Sequence, residues 1–147
     1  VAHTAQAQPV MWRYTLERPA ADWLKPGFDD TMWKEGPAGF GSGGPAHGPV
    51  RTAWTTEDLW LRRQVVLAEG DLRNLALKVS NEADVEIYLN GVLAVRLAGR
   101  NSDYEELDLT PEAERALRVG SNIIAVRCHQ VKPGHYIDVG LVREQQK

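Results

Sequence analysis

The 147-residue chain has a single cysteine, Cys128. That excludes an intrachain disulfide framework and any zinc site built on several thiolates. Histidine is scarce too: His3, His47, His129 and His135 are the whole set, and no HExxH-type pair occurs among them, which argues against a zinc hydrolase. No G-x-S-x-G elbow is present to hold a nucleophilic serine. No apolar run approaches the roughly 20 residues of a membrane-spanning helix. Charge of one sign is also lacking. Lys plus Arg number 17 against 20 Asp plus Glu, for a net charge of -3, so the basic footprint of a nucleic-acid binder is missing. The opening VAHTAQAQP carries neither a basic start nor an apolar stretch of signal-peptide length, and the chain is expected to be a piece of a longer protein or a mature form.

One motif with the spacing GxGxxG does occur, at Gly39-Phe40-Gly41-Ser42-Gly43-Gly44. A dinucleotide site needs a strand before this turn and a helix after it. Pro37 precedes it and Pro45 and Pro49 follow, so no helix can open there, and no GK[ST] completes a phosphate loop. A surface loop is the expectation.

What is present points to β structure. Apolar residues make up 43% of the chain and charged residues 25%, the balance of a globular domain. Alternation of apolar and polar residues, the mark of a half-buried strand, runs through LALKV (75–79), VEIYL (85–89) and WLRRQVVL (60–67), the last with an awkward Arg63 in its apolar set, and VLAVRL (92–97) is a further apolar run. In NIIAVRCHQ, Ile124, Val126 and Cys128 oppose Ile123, Ala125, Arg127 and His129. In YIDVGLV, Ile137, Val139 and Leu141 oppose Tyr136, Asp138 and Gly140. Asn90-Gly91 between two such runs is a hairpin signal, because a type I′ turn needs positive φ at both positions. WRYTLERP is expected to be the first strand, and SNEA (80–83) a turn. One short helix is expected after Thr110, with Thr110 as N-cap, Pro111 at the first helical position and Gly120 closing it. Seven or eight strands, long loops and one helix predict an all-β antiparallel two-sheet sandwich of Greek-key or jelly-roll connectivity. The expected boundaries are an extension over 1–11, a sandwich domain over 12–143 and a tail over 144–147.

The series FDDTMWKEGPAGFG (28–41), DLWLRRQVVL (58–67), ADVEIYLNG (83–91), LRVGSNIIAVRCHQ (117–130) and YIDVGL (136–141) resembles the galactose-binding-like jelly-roll modules of bacterial glycoside hydrolases. It looks especially like the sugar-binding domain of the β-galactosidase/β-glucuronidase superfamily. The resemblance runs from about Trp12 to Val142. It implies a non-catalytic module, because catalysis in that superfamily belongs to a separate barrel, and 147 residues leave no room for one. It also implies an exported parent enzyme, secreted, periplasmic or on the cell surface.

Sugar recognition needs an aromatic ring to stack on the apolar face of a pyranose and polar groups to bond its hydroxyls. Two segments have that chemistry. The loop 47–58 carries Arg51, Trp54 and Asp58. The turn 129–136 carries His129, Gln130, His135 and Tyr136. If the last two strands pair as a hairpin, Arg127, His129, Tyr136 and Asp138 share one outward face. The alternative is that these are an ordinary cross-strand ion pair with packed aromatics. Trp12, Trp23 and Trp33 are expected to pin the N-terminal third to the sandwich, while Trp60 alternates against the apolar set of its strand and so faces solvent, a partner domain or the opposite side of the sandwich. Cys128 is expected to behave as a small buried hydrophobe. No residue stands out as catalytic. The only cofactor indicated is a structural calcium at Asp29 and Asp30, which the resemblance supports, although Asp-Asp-Thr before a tryptophan is equally a capped turn. Two functions follow: a carbohydrate-binding module that holds its enzyme on an oligo- or polysaccharide, or a structural accessory domain packed on a neighbouring catalytic domain. Neither nucleic acid nor membrane is an expected partner.

Overall fold

Strands form where the period-two alternation is strongest. The structure, a computed structural model, describes residues 2–42, 49–99, 103–130 and 134–144. Among them are eleven strands: β1 (Met11–Thr15), β2 (Lys34–Pro37), β3 (Phe40–Gly41), β4 (Thr52–Ala53), β5 (Asp58–Leu67), β6 (Leu75–Glu82), β7 (Asp84–Leu89), β8 (Val92–Leu97), β9 (Glu105–Asp108), β10 (Gly120–His129) and β11 (Tyr136–Arg143). The count exceeds the expected seven or eight because the proline-rich stretch 34–53 supplies three short strands whose pattern is too brief to read. A six-stranded sheet runs β2-β1-β5-β10-β7-β8 and a five-stranded one β4-β3-β11-β6-β9. All pairings are antiparallel except β3 with β4. The fold is an all-β two-sheet sandwich.

From β5 onward the chain passes between the sheets at almost every connection, and the one local hairpin there is β7–β8. Its turn uses Asn90 at φ 50° and Gly91 at φ 85°, the conformation a type I′ turn demands. Asn90 also donates to the carbonyl of Ala116 and accepts from the backbone N–H of Ile123, so one side chain ties the hairpin to the end of the helix and to β10. The expected SNEA turn is instead strand as far as Glu82, and the chain changes sheets at Ala83. The helix α1 (Pro111–Ala116) has the predicted cap: Thr110 Oγ1 accepts from Ala113 N at 3.2 Å. It ends earlier than expected, at Leu117, and Gly120 uses its positive φ of 96° to open β10.

The core lies between the sheets. Leu59, Leu61 and Val65 of β5 and Ile124, Val126 and Cys128 of β10 face Leu77, Val79, Ile137, Val139 and Leu141 of the other sheet. Trp12, Phe40 and Trp54 close it. Burial pushes the Cys128 thiol well above its ordinary range, so it packs as an apolar group.

A second apolar cluster covers the outer face of the six-stranded sheet. Trp60 of β5 and Ala125 of β10 meet Trp23, with Phe28, Trp33, Tyr88 and Ile123 packed around them. The loop 16–33 is thus a roof, and Trp60 faces that second layer. Arg62, directly opposite Ala125 in the register, lies beneath this roof with 1% of its surface exposed. Its guanidinium donates to the carbonyls of Trp23, Lys25 and Phe28 and pairs with Asp30 at 3.1 Å. Burial lowers its pKa, and Asp30 opposes that shift.

Removing Arg62 leaves three carbonyls without their donor and Asp30 without its main partner. Arg62→Leu is expected to cost roughly 3 kcal/mol, read as a lower urea midpoint, with faster proteolytic cleavage within 16–33. Arg62→Lys recovers little, because an ammonium on a single stem cannot serve a planar fork's several acceptors.

Candidate functional site

The outer face of the six-stranded sheet is roofed in its middle and open at the end where β5 starts and β10 finishes. Register fixes what collects there. Asp58 lies opposite His129, Trp60 opposite Arg127, and Arg127 opposite Glu86 on the next strand. His129 Nδ1 lies 2.8 Å from Asp58 Oδ1. Arg127 reaches Asp58 at 3.7 Å and Glu86 at 3.9 Å, and Arg96 pairs with Glu86 at 2.9 Å. The Arg127 guanidinium also sits 5.9 Å from the Trp60 ring centroid. Arg127 Nε is buried and has no partner. Glu86, Arg96, Arg127 and His129 border a cavity of about 340 Å³ walled also by Val85 and Leu97. Alternating carboxylates and guanidiniums beside apolar walls suit a small hydroxylated ligand.

Gln130 adjoins the patch through its backbone N–H, which donates to the Glu57 carbonyl at 2.8 Å. Glu57, Asp58 and His129 place one potential ligand atom each within 4.8 Å of one another, the only such group of three among the described residues. Their two carboxylates and one imidazole match the donor types of a divalent ion. The Arg127 guanidinium beside Asp58 opposes a cation at the same place.

The other expected site residues lie elsewhere. β10 and β11 do not pair; they belong to opposite sheets. The shared face expected for Arg127, His129, Tyr136 and Asp138 therefore does not exist. Tyr136 and Asp138 are on the outer face of the five-stranded sheet, beneath the N-terminal segment. Asp138 accepts from Ala5 N at 2.9 and 3.1 Å and from the Tyr104 hydroxyl at 2.5 Å, and the Tyr104 and Tyr136 hydroxyls are 3.2 Å apart. Arg51 donates to the carbonyls of Ala5 and Ala38. A reciprocal pair of bonds joins Ala2 to Leu141. Gly140 is required there, since a Cβ would come within 2.7 Å of Thr4 N. Asp138 is thus spent on seating Ala5, and the Tyr136 hydroxyl meets Tyr104 and the Pro49 carbonyl.

Trp54 also departs from expectation. It is 0% exposed and part of the core, edge-on to His135 at 4.6 Å between centroids, and it offers no ring face to a sugar. Both ring nitrogens of His135 are buried without a hydrogen-bond partner. Residues 43–48, which include Gly43, Gly44 and His47, and residues 131–133 lie outside the described part. Phe40 and Gly41 of the glycine motif form β3, and a Cβ on Gly39 would meet the Tyr136 hydroxyl at 2.5 Å, one on Gly41 the His135 carbonyl at 2.5 Å.

The acidic turn expected to hold calcium does other work. Asp29 Oδ1 accepts from the backbone N–H and hydroxyl of Thr31, which hold its carboxyl below the usual value. Asp30 faces two guanidiniums, Arg62 at 3.1 Å and Arg13 at 3.8 Å. Those positive charges occupy the place a cation would take, so the turn is a cap and an ion pair. Sequence reasoning missed Tyr104, Glu86 and Arg96. The alternation in VEIYL placed Glu86 on an outer face, but nothing in the sequence indicated its neighbour across the sheet.

Two expectations follow. Burial raises the Asp138 carboxyl above its usual value even though Tyr104 and Ala5 donate to it. A raised folded-state value means that the folded protein binds this proton more tightly than the unfolded chain. Asp138 therefore subtracts stability as pH climbs from the unfolded value near 3.8. Asp138→Asn removes the titration, so its urea-derived stability is expected to gain on the parent as pH rises across that range. His135→Phe is expected to keep or raise the melting temperature, because it replaces two buried, unpaired ring nitrogens with an apolar ring.

The chain matches no protein-family model and no curated protein. It does match solved structures. A glycosyl hydrolase family 2 member from Bacteroides cellulosilyticus DSM 14838 superposes with a TM-score of 0.63 at 14% identity, over 96% of this chain and 20% of that one. A β-glycosidase from Bacteroides vulgatus gives 0.59 at 15% identity, over 89% and 19%. A β-glucuronidase from glycoside hydrolase family 2 gives 0.58 at 17% identity, over 92% and 17%. The chain shares its fold with one portion of those enzymes. It spans about a fifth of their length.

Proposed function

We propose that the chain is a non-catalytic accessory domain of a glycoside hydrolase, packed against the catalytic part of the same protein. The observation that carries this reading is the overlap: 89–96% of the chain falls on 19–20% of two longer glycosidase chains. Surface chemistry favours packing over sugar capture. Stacking on a pyranose needs an open ring face, and Trp12, Trp23, Trp54, Trp60 and Tyr136 are all buried. Exposed apolar surface is supplied instead by Met11, Met32, Val66 and Val119, with Met32 at 93%. Single exposed apolar residues are ordinary, but these are the side chains a neighbouring domain would cover. Catalysis is assigned to the part of the parent protein outside this chain. The role suits an exported protein, secreted, periplasmic or on the cell surface.

A second reading, capture of a carbohydrate, has one observation in its favour: the cavity beside Arg127, His129 and Glu86. Two measurements separate the readings. The chain is mixed with the remainder of its parent protein, expressed separately, and run on a sizing column. It is also run through gels containing neutral soluble polysaccharides. Co-elution that is lost in Met32→Glu or Val66→Glu, with unchanged melting temperature and no retardation in the gels, is the expected result. Retardation lost in Arg127→Gln, without co-elution, would overturn the packing role in favour of capture.

A further inference from the structure

The strongest unexplained feature is a groove beside β5. β1 pairs with β5 only from Thr15↔Trp60 to Arg13↔Arg62. Both strands continue past that point, β1 back to Met11 and β5 on to Leu67, but they diverge. The gap between them is a groove of about 610 Å³. That volume is within the range of small-molecule sites.

Its charge is distinctive in a chain of net charge -3. Four guanidiniums line it, those of Arg13, Arg62, Arg63 and Arg118, against two carboxylates, Asp30 and Glu35. Arg13 is paired with Glu35 at 2.9 Å and Arg62 with Asp30. Among the described residues neither Arg63 nor Arg118 is in an ion pair, and Asp138 acts on Arg63 only from beyond ion-pair distance. Arg63 spends one donor on the His3 carbonyl and lies 5.8 Å from the Trp12 ring centroid. Arg118 spends only its Nε, on the Ser121 carbonyl at 3.2 Å, which leaves its terminal fork free. Burial lowers the Arg63 pKa, so its charge is partly stripped of water. Trp12 also lines the groove, and its buried indole N–H has no partner. The groove therefore presents unspent donors: the Arg118 fork, the remaining N–H groups of Arg63 and an indole.

Two guanidiniums without a carboxylate in direct contact repel each other in one concavity, and an anion relieves that cost. A planar fork matches a carboxylate with two parallel bonds. Beside the forks, the Gln64 amide bonds the Ser121 hydroxyl at 2.7 Å, and the Asp30 and Glu35 oxygens can accept from hydroxyls. We propose that the groove between β1 and β5 binds a sugar acid, with its carboxylate on Arg63 and Arg118 and its hydroxyls toward Gln64 and Glu35. The inference stands on the groove alone. The docking role is read by co-elution and the groove by titration with acids, so either can fail without the other.

The test is calorimetric titration of the full chain with sodium galacturonate and sodium glucuronate, against galactose, glucose and sodium sulfate. The two acids are expected to saturate and the neutral sugars are not. Arg118 is exposed, so Arg118→Gln should keep the parent melting temperature and weaken acid binding roughly tenfold, as expected for one lost charge-assisted bond. Arg118→Lys should restore only part of it. Raising NaCl from ~50 to ~500 mM should weaken the acids further through screening. Failure of both acids to saturate, equal binding of neutral sugars, sulfate binding as tight as the acids, or unchanged affinity in Arg118→Gln would each overturn the assignment.

Discussion

The arrangement of this protein depends on a buried guanidinium. Arg62 sits mid-strand on β5, on the face turned away from the core, where an alternating pattern would ordinarily put a solvated side chain. It is covered instead, and its donors meet three backbone carbonyls and one carboxylate from the loop 16–33. Burying a charge is costly unless it is paired and bonded on all sides. The cost is offset only when the loop is folded over the sheet, so the charge and the loop order each other. Trp23, Phe28 and Trp33 add apolar area to the same roof, but rings are non-directional. The fork requires the carbonyls of Trp23, Lys25 and Phe28 to converge, and so sets the loop's path.

The N-terminal third performs this service on both sides of the sandwich. Residues 16–33 cover the six-stranded sheet, and residues 2–5 are seated on the five-stranded one by Asp138, Arg51 and Arg63. Each contact joins a polar side chain of the sandwich to the backbone of an irregular segment. Such segments carry N–H and C=O groups that no ladder satisfies. Arginines and an aspartate placed beside these segments supply the missing partners. This explains why charged residues on strands β5 and β11 are buried, and why a search for ligand-binding polar groups selects residues that hold the chain to itself.

The sandwich was legible because alternation reports faces, and faces follow from local sequence. The inward sets of β5, β7, β10 and β11 are those the pattern gives, as is the Asn90-Gly91 turn. The candidate site was legible only in part, since a site depends on which strands adjoin, and alternation is silent about neighbours. Asp58, Arg127 and His129 meet because β5 and β10 pair over their whole length. Tyr136 and Asp138 are absent from that group because β11 lies in the other sheet, and consecutive strands invite the opposite assumption. Trp54 misled for a related reason: a ring in a proline-rich loop looks exposed, yet β4 pairs with β3 beside β11 and the Trp54 N–H donates to the Gly41 carbonyl, which sets the ring in the core.

β5 carries more of the molecule's chemistry than any other element. Along its outer face come Asp58, Trp60, Arg62 and Gln64, one pleat apart. Asp58 belongs to the ion-pair patch, Trp60 and Arg62 to the roof, and Gln64 to the arginine-lined groove. The open patch and the groove thus lie at opposite ends of one strand, separated by a packed aromatic layer. β5 is paired with β10 throughout but with β1 over only three residues. The complete pairing makes the patch rigid, and the incomplete one opens the groove. A strand held along one edge and released along part of the other provides both a fixed scaffold and a concavity, without interrupting the core on its inner side.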